Sequence, residues 1–429
     1  MPPFDPRQIL FLPAPYGYAV SILCGLLIIF AAYHIQRRSL FLYCLGGSII
    51  LTAPLFAYAT DAIWGAYPTI DKEGSLLFYR DGVHLRMFQF SDPAHRLIGF
   101  HVGHLWISQI FDTVVSDWAA FNLQALLNIV LTWWLTTKLL IEMGSKRLWA
   151  WLLASQLALH LHIFRDIQFY TIEKSAIYPL PLFWYIYLRT TKGWKYGPIS
   201  LGLVFLFSSW INLYWGIFQV VLTPLLLWIH RKENMKQQCN AILFCILCGL
   251  GIAFYQHSLT IGGPPFAAPE QFSMRAALDI FSIYPLSWNR LPWFSSISPL
   301  LCLGIGYGIK TKELHPRYIA IGVFFALLSL GPNITPQLPN PLYLMFQSLP
   351  ALWRFAKPES LFFISYLVIL STLIHLQLSK RWLYSIALML LLQWLYCVRS
   401  QPEYPPLTQH IESTLPKNWE RRIFPTEKK

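Results

Sequence analysis

The chain of 429 residues is 55% apolar, 16% aromatic and only 12% charged, with a mean hydropathy of +0.45. Soluble domains carry about a quarter of their residues as charges, so this composition excludes an ordinary soluble protein and predicts an all-α, polytopic transmembrane helical bundle. The formal charge of +13 does not indicate nucleic acid, because the basic residues fall in short, alternate connections between apolar blocks, the pattern that sets membrane orientation.

Apolar blocks of roughly 17–25 residues, each long enough to cross about 30 Å of hydrocarbon as helix, recur along the chain and suggest about twelve spans. Prolines at 2, 3, 6, 13 and 15 resist helix, so the first span begins near Tyr16 and ends before Arg37 and Arg38. No basic region or small-residue cleavage site precedes it, so no removable signal peptide is expected. The second span runs from about Leu40 to Ala59. With the arginine pair inside, the N-terminus and the polar stretch Asp61 to Trp118 lie outside. This first outer loop, 60–118, is expected to carry short surface helices at His84 to Phe90 and Arg96 to Phe111. The second has an apolar stripe of Leu97, Ile98, Val102, Leu105, Trp106 and Ile110, suited to the membrane surface.

Further spans alternate at about 119–141, 148–163, 177–189, 197–210, 216–230 and 240–257, with an outer loop at 164–176 and a tight outer turn at Asn212 to Gly216. An outer segment, 258–297, is followed by spans at about 298–309 and 318–330. The outer loop 331–358 holds six prolines and predicts irregular or re-entrant backbone, which survives at membrane depth only under protein or beside a watery cavity. Spans at about 360–378 and 383–398 complete a transmembrane domain of 1–398, and a polar tail, 399–429, lies outside. The seven cysteines show no paired spacing, so they are read as small apolar packing residues rather than a disulfide framework or metal knuckle.

This topology sorts the acidic residues: Glu142, Glu233 and Glu313 face inward, and all nine Asp face outward or lie at the outer boundary. Orientation does not require that bias, because acidic residues contribute little to it, so the outer face is the better place for chemistry. Asp61 directly follows a span and either ends that helix or accepts a proton from a hydroxyl beside a lipid-anchored donor. His101 and His104 have the look of a metal pair, but no Glu completes a zinc signature, so they are read first as hydrogen-bonding or structural residues. Asp166 and Glu173 offer carboxylate oxygens that could join Asp61 around a hard cation, Mg or Mn; Glu173 and Lys174 also read as a local ion pair. Arg354 and Lys357, set among prolines, suit phosphate oxygens, or snorkel to lipid headgroups.

A span ending in an acidic residue, a long outer loop with surface helices and an acid-biased outer face resemble the GT-C class of integral membrane glycosyltransferases. The tracts Gly103-His104-Leu105-Trp106, Ile172 to Leu182, Gly331-Pro332-Asn333 and Leu349 to Pro358 are similar to uncharacterised bacterial members, including the YfhO-like group. Here the long loop follows the second span rather than the first, and no Asp-Xaa-Asp pair marks the second outer loop. The resemblance implies a multi-pass enzyme of the cell envelope in the bacterial inner membrane, using a polyprenyl-phosphate or diphosphate sugar as donor and a glycan, lipid or protein hydroxyl as acceptor. It places Asp61 as catalytic base or metal ligand. His101, His104, Lys174, Arg354 and Lys357 would bind substrate, and Asp61, Asp166 and Glu173 would hold any divalent cation. The rivals are a transporter or flippase of lipid-linked sugars, for which Pro179 and Pro181 inside one span speak, and a non-catalytic subunit of envelope-polymer assembly.

Overall fold

A computed structural model describes residues 14–35, 39–52, 103, 107, 110–111, 113–114, 117–160, 163, 175–230, 234–260, 306, 309–310, 316–329, 333–335, 338–348 and 358–375. They are predominantly helical. In chain order the elements are α1 (Ala14–His34), α2 (Leu40–Leu51), α3 (Asp117–Glu142), α4 (Arg147–Ala158), α5 (Pro179–Thr191), α6 (Gly197–Ile211), α7 (Leu213–Ile229), α8 (Met235–Thr260) and α9 (Pro316–Ser329). A two-stranded antiparallel hairpin, β1 (Asn333–Thr335) and β2 (Leu338–Pro339), leads into α10 (Pro341–Ser348), and α11 (Pro358–Thr372) ends in a 3₁₀ turn at Leu373–His375.

The helices pack as a layered bundle. α1 lies on α2, α2 on α3, and α3 lies between α2, α4 and α5; α5 and α8 both contact α6, while α11 joins α9 to α4. Glycine lets the first layers close. A Cβ on Gly46 would lie 2.7 Å from the Gly25 carbonyl oxygen, and one on Gly25 would lie 2.8 Å from the Gly46 oxygen, so α1 and α2 cross backbone to backbone. Gly47, the next residue, presents its other side to the Trp133 ring of α3. Gly46→Ala is therefore expected to destabilise by about 1–3 kcal/mol, the cost of overpacking a close contact. Gly249→Ala, where the nearest atom is 3.9 Å away, should be neutral or mildly stabilising because alanine favours helix. Thermal unfolding of the two variants side by side checks this.

One end of the bundle is held by basic side chains on helix C-termini. Lys192 donates to the Glu142 carbonyl at 2.7 Å and to its carboxylate at 2.9 Å, with Arg189 3.7 Å from the same carboxylate. α3 and α5 therefore end together. Arg317 at the start of α9 donates to the carbonyls of Trp228 (3.3 Å) and Ile229 (3.0 Å) at the end of α7. A helix leaves its last carbonyls without partners and its C-terminus partly negative, so cations belong there. Trp149 at the start of α4 donates to the carbonyl of Leu373 beyond α11 at 2.9 Å, tying the late chain to the same end.

Several expectations need correction. α2 stops at Leu51 with Thr52 as its C-cap, short of Ala59, and α4 ends at Ala158 rather than 163. α8 starts at Met235 and so is longer than its predicted span. Pro179 and Pro181 stand in the first turn of α5, where a missing N–H costs nothing, so they do not break a span. Residues 333–335, 338–339 and 341–348, expected as irregular backbone, form the two paired strands and α10. Asn340 organises this turn: its amide accepts from the Tyr343 N–H at 3.4 Å and donates to the Leu327 carbonyl at 2.7 Å. Among the described residues one helix, Asn122–Glu142, is long and apolar enough to cross a membrane, and six further apolar helices of 10–17 residues are shorter.

Candidate functional site

The end of the bundle opposite the basic caps is where α3, α5, α7 and α11 begin and α4 and α6 finish. Many of the buried polar side chains collect there. Asn122, Gln124 and Asn128 come from α3, His160 follows α4, Ser208 and Ser209 close α6, Asn212 forms the bend before α7, and Gln219 lies in the second turn of α7. Among the described residues the buried side chains include no Asp, Glu, Lys or Arg. This interior is polar and uncharged.

Three contacts bring the flanks of separate loops to this end. Asn128 donates to the Ser175 hydroxyl at 3.0 Å, seating the turn before α5 on α3. Gln219 donates to the Pro179 carbonyl at 3.2 Å, seating the same turn on α7. His160 packs edge-on between Phe363 (5.8 Å between ring centroids) and Tyr366 (5.0 Å) of α11. The helical residue Ile107 packs against the cluster of Leu135, Ala176, Tyr178 and Ile211, and Gly103 abuts the Trp210 ring so closely that any side chain would collide with it.

The sequence-predicted site residues Asp61, His101, His104, Asp166, Glu173, Lys174, Arg354 and Lys357 all lie outside the described residues. Their described chain neighbours are Gly103 between the two histidines, His160 shortly before Asp166, Ser175 next to Lys174, and Pro358 next to Lys357. Sequence reasoning missed His160. Among the described residues no three His, Cys, Asp or Glu side chains gather as a metal site would require.

A second feature escaped the sequence as well. Asn128, Thr132 and Thr136 repeat every fourth residue along α3 and are at most 1% exposed. Most buried threonines in these helices return their hydroxyl to their own backbone: Thr137 to Trp133 at 2.7 Å, Thr190 to Ile186 at 2.8 Å, Thr52 to Ser48 at 2.6 Å. Thr132 and Thr136 do not, and with the Tyr178 hydroxyl they have no hydrogen-bond partner among the described residues. On α5 and α7 the Trp184 and Trp215 indole N–H groups and the Gln219 carbonyl oxygen are likewise unmet. Buried polar atoms are satisfied in the great majority of cases, so such a concentration asks for a reason. Outside the spans, burial pushes the Tyr343 hydroxyl up to about 12, so it stays protonated at any physiological pH.

Compared with known proteins, the chain matches no family model and no curated sequence.

Proposed function

We propose that the chain is a polytopic membrane glycosyltransferase of about twelve spans. It would transfer a sugar from a polyprenyl-phosphate or diphosphate donor to an acceptor hydroxyl at the outer face of the membrane. The observation that carries this reading is the seating of His160 against Phe363 and Tyr366. It brings a flank of the 164–176 loop, which carries the carboxylates Asp166 and Glu173, to a flank of the basic 331–358 loop, as an enzyme needs if carboxylates are to act on a phosphate-linked sugar held by Arg354 and Lys357.

Membrane residence is supported by the outer faces of the helices. Leu23, Leu26, Leu27 and Phe30 on α1, Leu203 on α6, Leu243, Ile246 and Leu247 on α8 and Val323 on α9 are all more than half exposed, which water would penalise and lipid would not. In the proposed reaction Asp61 removes the acceptor's proton as its oxygen attacks the anomeric carbon, and the carrier phosphate leaves with the bonding electron pair. Arg354 and Lys357 offset the charge on that phosphate. Attack opposite the leaving group inverts the anomeric centre. A divalent cation held by Asp61, Asp166 and Glu173 would add Lewis-acid stabilisation of the phosphate.

With Pro179 and Pro181 in the first turn of α5, no observation favours the transporter reading. The test is a transfer assay on purified protein in liposomes with radiolabelled polyprenyl-phosphate sugars. Label appearing in an acceptor with inverted configuration supports the enzyme. Label crossing the bilayer without transfer would replace it with a flippase.

A further inference from the structure

The unmet hydroxyls share one seam. α3 and α5 run parallel, pinned by Asn128 to Ser175 toward their starts and by Glu142 to Lys192 where they end. Positions three, four, seven and eight apart lie on one side of a helix, so Asn128, Leu131, Thr132, Leu135 and Thr136 form one face of α3. Its orientation is set by contacts: Asn128 meets Ser175, and Leu135 shares a buried cluster with Tyr178 against which Leu131 packs. Thr132 and Thr136 therefore lie on the side of α3 turned toward the segment that carries Ser175 and Tyr178.

We propose that the seam between α3 and α5 is a recognition site for an uncharged, hydroxyl-bearing group, the sugar ring of the lipid-linked donor, with Thr132, Thr136 and Tyr178 as its hydrogen-bonding partners. The substrate class this names is a neutral hexose, as opposed to a uronic acid, and the assignment to a carrier-borne sugar rests on the function proposed above. Hydroxyls both donate and accept, as a sugar requires, and a tyrosine ring adds an apolar face. A carboxylated sugar would need a cation, and the buried described residues supply none. The seam is closed in this arrangement, so the ring enters as the Ser175 to Pro181 turn lifts from α3. The Asn128–Ser175 and Gln219–Pro179 bonds are among those that hold this turn.

The variant Thr132→Val/Thr136→Val/Tyr178→Phe removes three hydroxyls at nearly constant volume. Deleting buried polar atoms that have no internal partner is neutral or stabilising, so without ligand the full-length variant should melt at or above the wild-type temperature. Three probes are added in turn: polyprenyl phosphate, polyprenyl-phosphate glucose and polyprenyl-phosphate glucuronic acid. The glucose carrier should protect the wild type more than the other two, and the variant should lose that sugar-dependent increment, about tenfold or more in affinity, while still binding bare polyprenyl phosphate. A variant that melts several degrees lower would show the hydroxyls to be satisfied within the protein and overturns the inference. So does protection by the glucose carrier that is equal in both proteins, or equal protection of the wild type by the glucuronic acid carrier. If no carrier protects the wild type, the donor class proposed above falls instead. The seam is then decided by free glucose, which must protect the wild type and not the variant.

Discussion

Replacing Asp61 with asparagine is expected to lower sugar transfer by about 10²–10⁴-fold, the usual share of a positioned general base, while the protein still folds and inserts. Asparagine keeps the size and a carbonyl oxygen but cannot take the acceptor's proton or bring negative charge to a cation. A glutamate there restores the carboxylate at a shifted position and should recover part of the rate. The measurement is initial velocity with a labelled polyprenyl-phosphate sugar, beside a size-exclusion profile in detergent. Wild-type velocity from the asparagine variant would remove Asp61 from the mechanism. It would leave the residue as the polar end of its span.

Trp133→Ala should cost about 3–5 kcal/mol, in the range for truncating a buried aromatic and a large part of the stability of an ordinary domain. Trp133 is fully buried where three layers meet. Its indole N–H donates to the Trp151 carbonyl at 2.9 Å, and its ring lies 4.6 Å from that of Trp151 on α4. Its far edge fills the space left by Gly47 on α2. Truncation opens a void between α2, α3 and α4 and removes the hydrogen bond to the Trp151 carbonyl. Trp133→Phe keeps most of the packing and loses the hydrogen bond, so its cost should fall well below that of the alanine. Equal melting temperatures for wild type and Trp133→Ala would contradict the packing described.

Much of the helical layout was legible because hydropathy and basic connections act over whole segments. The bend at Asn212 and the α6–α7 hairpin follow from that pattern. Features that depend on single residues were harder to see. Asn340-Pro341 is an N-cap followed by a proline at the first helical position, a start signal, but it sits among so many prolines that the whole loop read as irregular. The same rule places Pro179 at the head of α5. Asn128, Thr132 and Thr136 vanish in a hydropathy average because leucine, isoleucine and tryptophan surround them; a count at every fourth position would have exposed them. His160 lacks any local motif, and its meaning lies in α11, two hundred residues further on. The candidate site itself was inferred from charge placement and family resemblance, and its named residues lie outside the described residues.

The interior without formal charge has an electrical consequence. A membrane potential does work only on charge that moves through it, about 2.3 kcal/mol per elementary charge for each 100 mV. Among the described residues the buried set contains no Asp, Glu, Lys or Arg, so lifting the Ser175 to Pro181 turn from α3, with Arg189 and Lys192 left on Glu142 at the other end, moves no buried ionised side chain. Voltage therefore has no lever on that motion, and a step limited by it should run at one rate in energised and depolarised vesicles alike.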